Sequence, residues 1–288
     1  MRLLTTGGNG QLGRELYDVA TAAGHHVDST DRDDCNIADP AEVARTIDAT
    51  RPDAVVNCAA WTQVDAAEDN VDGACLINAI GPRVLAAACA ARGLMLVQIS
   101  TDYVFDGAAT SPIDEWATPA PRSVYGATKL AGELEVRSLN PRHQVIRTSW
   151  LSGRHGPNFV LTMLKAAAAG RQLRVVDDQV GSPTWTGHLA PAVLRLLERG
   201  VPGTYHLTNS GTTSWHGFAE AIFAAAGVSA DLAPIPSSDY PTPAPRPAYS
   251  VLDNRAARLL GEPPLPHWTE GMSAYLAELG ELATAEAG

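Results

Sequence analysis

Short apolar runs alternate with stretches whose apolar positions recur at helical spacing along the first half of the chain. Residues 1–6, 27–31, 54–60, 94–100 and 144–148 read as buried strands. Residues 14–20, 43–47 and 74–91, and a segment around Tyr125, read as the helices between them. Strands alternating with helices imply an α/β fold with a doubly wound, parallel Rossmann-type sheet, whose ligands sit at the strand C-terminal ends. The residues marked by those ends are Gly7 to Gly13, Asp31, Ala59 to Thr62, Ser100 to Asp102 and Thr148 to Trp150, and they fall in one crevice.

Beyond residue 150 the texture changes. Helical stretches at 158–169, 189–198 and 218–226 are joined by Pro- and Gly-rich connections, and 204–207 reads as a brief strand that rejoins the sheet. Residues 234–247 carry six prolines in 14 residues and are expected to lack regular structure. These features divide the chain into a dinucleotide-binding domain, 1–149 with about 189–209 rejoining, and a smaller substrate-binding lobe. That lobe takes about 150–188 and 210–288, and its end, 282–288, is expected to fray.

Composition narrows the partners. A net charge of −11 and a pI near 5.1 argue against nucleic acid, although a local cation can still hold an anionic substrate. No run of about 18 apolar residues stands out, and Met1 leads straight into a strand, so neither a membrane span nor a signal peptide is expected. Cys35, Cys58, Cys75 and Cys89 lack C-x-x-C spacing and read as reduced thiols in a cytoplasmic protein. No metal-ligand cluster is legible, and the adjacent pairs His25-His26 and Asp177-Asp178 diverge.

Candidate chemistry begins with Tyr125 and Lys129, four residues apart and therefore on one helix face. Lys129 is one of only two lysines among 21 basic residues. A compact ammonium can sit beneath a phenol and lower its pKa, where a planar guanidinium would occupy the space differently. The cofactor signal is Gly7-x-x-Gly10-x-x-Gly13 between strand and helix, with Gln11 and Leu12 in the helix's first turn. Glycines there permit a tight turn and close approach to a pyrophosphate, which a helix N-terminus also attracts. Asp31 follows at the distance expected for a ribose carboxylate, while neighbouring Arg32 suits a 2′-phosphate, so NADH and NADPH both remain open.

These motifs, with Ser100-Thr101-Asp102-Tyr103-Val104-Phe105, Val56 to Glu68, Arg147 to Trp150 and Arg246 to Asp253, resemble one branch of the extended short-chain dehydrogenase/reductase superfamily. That branch is the dTDP-4-dehydrorhamnose reductases, and the likeness covers about residues 1–275. The resemblance implies reduction, by NADPH or NADH, of the 4-keto group of a dTDP-linked 4-keto-6-deoxysugar, giving dTDP-L-rhamnose in the best-known case. It implies that Thr101 binds the substrate carbonyl, Tyr125 donates a proton, and Lys129 holds the nicotinamide ribose with Asn78 as its partner. Asp102 and Trp150 would contact the sugar; Ala59, Ala60, Trp61 and Thr62 would line the cofactor; Asn36 and Ile37 would lie near the adenine. Arg246 would grip the diphosphate or tie down its own loop. Asp65 and Glu68 read as helix N-terminal charges. Some relatives dimerise around Mg²⁺ through Glu15 and an acid near Gly187; this chain has no acid at Gly187, which leaves Mg²⁺ doubtful and suggests a monomer or weak homodimer. Sugar-nucleotide epimerases or dehydratases, and a non-catalytic dinucleotide-binding subunit, are the alternatives.

Overall fold

The computed structural model describes residues 1–286. Five strands, β1 (Arg2–Thr6), β2 (His26–Thr30), β3 (Ala54–Asn57), β4 (Met95–Thr101) and β5 (His143–Thr148), are linked by helical crossovers. The crossover helices are α1 (Gln11–Ala22), α2 (Pro40–Thr50), α3 (Val64–Asp69), α4 (Val71–Cys75), α5 (Gly81–Ala91) and α6 (Val124–Leu139). After β6 (Leu151–Ser152), α7 (Phe159–Ala168), β7 (Leu173–Val176), β8 (Val180–Gly181) and β9 (Thr184–Trp185), helix α8 (Thr186–Arg199) leads to β10 (Gly203–His206). That strand pairs in parallel with β5, so the six-stranded parallel sheet runs β10-β5-β4-β3-β1-β2. The order reverses between β1 and β3, which opens the crevice expected at a topological switch point.

Alternation along the strands puts core on both faces. Leu3, Val56, Val97 and Ile146 meet Leu12 and Leu16 of α1 and Leu189, Val193 and Leu196 of α8. Leu4, Val55, Leu96 and Val145 meet Val43 and Ile47 of α2, Leu85 and Cys89 of α5, and Val136 of α6. The remaining elements, β11 (Thr213–Ser214), α9 (Trp215–Ala226), β12 (Leu232–Ile235), α10 (Arg255–Leu259) and α11 (Trp268–Glu286), include the helices of a further core. Phe218 and Ile222 of α9 pack there on Val160, Met272 and Tyr275.

Four sequence expectations change. β3 stops at Asn57, freeing residues 58–60 to line the crevice. Pro234 lies inside β12, whose only strand partner among the described residues is β7; such an edge position needs no ladder donor from proline. The run Val71–Ala91 is apolar and long enough to cross a membrane by length and composition, yet it is interrupted by a π-helical turn, Leu76–Ile80. Its Leu85, Ala86 and Cys89 are buried in the core. The tail expected to fray from 282 is helical through Glu286, and residues 287–288 lie outside the described residues. All four cysteines are free thiols, Cys35 and Cys89 buried and the other two half-buried.

Candidate active site

The glycine turn is built for close approach. Gly7 has φ +68°, and a Cβ there would overlap the Ala59 amide across the crevice. A Cβ on Gly13 would strike the Gly7 carbonyl, so α1 starts flush against the turn. Gly10 caps α1 without a side chain, and the first intrahelical bond runs from Arg14 N–H to Gly10 O at 3.1 Å. The amides of Gln11, Leu12 and Gly13 therefore precede the ladder and face an incoming anion. A diphosphate fits this cradle. Asp31 stands beside it at the end of β2, its carboxylate accepting the Asn9 amide at 2.9 Å and the Arg32 amide at 2.6 Å. Gly7→Ala is expected to weaken NADPH binding about tenfold or more in calorimetric titration, because the added methyl displaces the Ala59 backbone that lines the crevice.

The other expected cofactor residues divide in two. Ala59, Ala60 and Trp61 are half-buried and Thr62 exposed along the opposite wall. Ile37 is a core residue at 5% exposure, while Asn36 is exposed and folds its amide oxygen back onto the Ala38 N–H at 3.1 Å.

Ser123 caps α6 by accepting the Gly126 amide at 3.1 Å, and Glu68 accepts the Val124 amide at 2.8 Å. Glu68 thus caps a helix other than its own. Gly126 lacks a Cβ where one would overlap the Tyr103 carbonyl, which lets α6 lie against the end of β4. Tyr125 packs edge-on to Tyr103 with ring centroids 5.4 Å apart. Burial pushes the Tyr125 phenol up to about 12; the Thr101 hydroxyl pulls it down and Asp102 raises it further. The counterweight to burial is thus Thr101 and not, as the spacing suggested, the Lys129 ammonium. Lys129 donates to Ile99 O at 2.6 Å. Asn78, expected as its partner, instead brackets Trp61: its amide oxygen accepts the Trp61 N–H at 2.9 Å and its nitrogen donates to Trp61 O at 3.1 Å. The same nitrogen reaches Thr128 Oγ1 at 3.2 Å. The π-helical turn carries Asn78 to this position, so the irregularity sits at the site.

Among the residues expected to contact the sugar, Thr101 Oγ1 donates to Asp102 Oδ1 at 3.0 Å. Burial raises the Asp102 carboxyl to about 6, against the pull of the Ser250 and Thr101 hydroxyls, and its Oδ2 is buried without a partner. Trp150 adopts φ +47°, rare for a bulky side chain, and stacks on Trp215 with centroids 3.5 Å apart. Gly181 leaves room for that indole, which a Cβ there would overlap. Arg246 donates through Nη2 to Asp65 Oδ2 at 2.7 Å, and Asp65 also accepts the Ala244 amide at 3.1 Å. Asp65 is therefore the anchor of the Pro-rich strap. Glu15 faces Arg154 at 3.9 Å and the Thr186 hydroxyl at 3.3 Å. No three His, Cys, Asp or Glu side chains converge on a metal site among the described residues.

A family model described as the RmlD substrate binding domain matches residues 1–281. The chain belongs to this family. A dTDP-4-dehydrorhamnose reductase of Streptomyces griseus is 43% identical over 290 residues, covering 97% of this chain and 95% of the relative. A solved dTDP-4-dehydrorhamnose reductase from Clostridium acetobutylicum superposes with a TM-score of 0.95 at 43% identity, covering 97% of this chain and 100% of that one. Its counterpart from Bacillus anthracis, solved in complex with NADP, gives 0.94 at 38% identity and covers 96% and 99%. Family membership came from local motifs. Trp215 and the partners of Asp102, Asn78 and Arg246 had no such signal, because each contact joins separate segments.

Proposed function

We propose that this chain reduces the 4-keto group of a dTDP-4-keto-6-deoxyhexose with NADPH or NADH, the leading substrate being dTDP-4-dehydro-L-rhamnose and its product dTDP-L-rhamnose. The observation that carries this reading is the meeting of Thr101, Tyr125 and Lys129 at the end of β4, beside the glycine cradle. A bound nicotinamide dinucleotide supplies the hydride. The amides of Gln11, Leu12 and Gly13 hold its diphosphate, and Lys129 orients the nicotinamide ribose. Asp31 suits a free ribose hydroxyl and Arg32 a 2′-phosphate, so the β2 end offers a contact to either dinucleotide.

Thr101 hydrogen-bonds the substrate carbonyl, and Tyr125 gives its proton to the C4 oxygen as charge develops there. Asp102 and Trp150 line the hexose. Arg246 takes the sugar diphosphate in exchange for Asp65, one anion replacing another on the same guanidinium. Cytoplasmic residence suits four unpaired thiols.

The test is incubation with NADPH and a dTDP-4-keto-6-deoxyhexose, following nicotinamide oxidation and the product's C4 stereochemistry by NMR. Turnover of the conjugate and little of the free hexulose is expected. Dinucleotide binding without oxidation would leave a regulatory subunit as the better reading.

A further inference from the structure

Three consecutive residues of β4 each engage one of three α6 residues spaced by four. Thr101 meets Tyr125, Ile99 O accepts from Lys129, and Ser100 Oγ donates to Glu133 Oε1 at 2.6 Å. Glu133 is fully buried. Arg147 of β5, opposite Ser100 in register, forks onto both Glu133 oxygens at 2.8 and 2.7 Å. Arg137 reaches Oε2 at 2.5 Å from the next turn of α6. Arg147 continues to His206, its register partner on β10, at 3.4 Å, and lies 5.1 Å over the Phe105 ring.

Stability alone does not account for this cluster. A buried ion pair is often no better than apolar residues of the same volume. One carboxylate here stands between two guanidiniums and, one turn back, the Lys129 ammonium. Without Glu133 that ammonium would have Arg137 of α6 and Arg147 of β5 nearby with no anion set between them.

We propose that Glu133 is a positioning residue for Lys129, locking α6 onto β4 and screening Arg137 and Arg147 so that the ammonium stays charged and aimed at the crevice. This rests on the reductase reading. Burial lowers Lys129 to about 8, and Glu133 is the foremost group opposing that fall, followed by Cys58 from the end of β3. At the Tyr125 end of α6 stand Asp102 and Tyr103 from the turn after β4, and Glu68 from α3 on the Val124 amide.

The experiment compares the alkaline limb of the kcat profile, and the pH dependence of NADPH affinity by calorimetry, in wild type, Glu133→Gln and Arg137→Met. Removing the anion should move both limbs down by about one pH unit. Removing the half-buried cation Arg137 should move them up while retaining turnover. Limbs that stay fixed in both variants, with kcat merely scaled down, would overturn the proposal. Should Glu133→Gln fail to fold, Arg137→Met decides alone: an upward shift supports it and an unmoved limb defeats it. A wild-type protein that binds NADPH but turns nothing over would sink the reductase reading instead, and the affinity limb would still test Glu133.

Discussion

Tyr125→Phe is expected to lower kcat by at least about 100-fold while changing NADPH affinity little. The substitution removes one oxygen and keeps the ring that packs edge-on to Tyr103. With its pKa near 12 the phenol is neutral through the physiological range and always holds the proton it must give. It need not release that proton to water, only to an oxygen becoming an alkoxide against it. Single-turnover kinetics beside calorimetric titration separates the two effects. Wild-type-like turnover in the Phe variant would remove Tyr125 from the mechanism.

Lys129→Met should cost about 100-fold or more in kcat/KM and also weaken dinucleotide binding. Lys129→Arg should fare nearly as badly, since a planar fork cannot occupy the space of an ammonium seated on the Ile99 carbonyl. Stability should move the opposite way in the Met variant. Burial lowers Lys129 from 10.5 to about 8, so between those values the unfolded chain holds a proton the folded chain has released. This group's contribution to stability therefore rises as pH climbs through that window and is least favourable below it. Lys129→Met should raise Tm by a few degrees at pH 7, with the gain shrinking toward pH 10. A Tm that falls at pH 7, or an Arg variant with full activity, would refute this account of Lys129.

How much of this was legible in the sequence depended on distance along the chain. The glycine turn, the α6 face bearing Tyr125 and Lys129, and the five N-terminal strands are set by near neighbours, and period and spacing report them. The Asp65–Arg246 pair spans 181 positions, and no local pattern encodes it. Asp65, which does stand in the first turn of α3, consequently read as a helix-start charge alone, and Arg246 as gripping a diphosphate or tying down its loop with no partner named. The π-helical turn that aims Asn78 leaves the apolar pattern of 71–91 intact, so the sequence read as one smooth helix and Asn78 was assigned to Lys129. Pro234 misled for the opposite reason: proline excludes a central strand, but β12 is an edge. The surroundings of Trp150 were the least legible, because Trp150, Gly181, Trp215 and Ser250 converge from four separate segments.

The packing of α8 on α1 and of β10 on β5 also bears on how the chain emerges during synthesis. A growing chain that has reached residue 150 holds the glycine turn, Tyr125 and Lys129, yet Leu12 and Leu16 still lack their cover from Leu189, Val193 and Leu196. The free edge of β5 likewise waits for residues 203–206. An N-terminal fragment of about 150 residues thus carries a greasy helix and an open strand edge, a combination that invites self-association. The half of the chain with the most recognisable chemistry is therefore poorly suited to expression alone, and a soluble minimal enzyme must extend past β10.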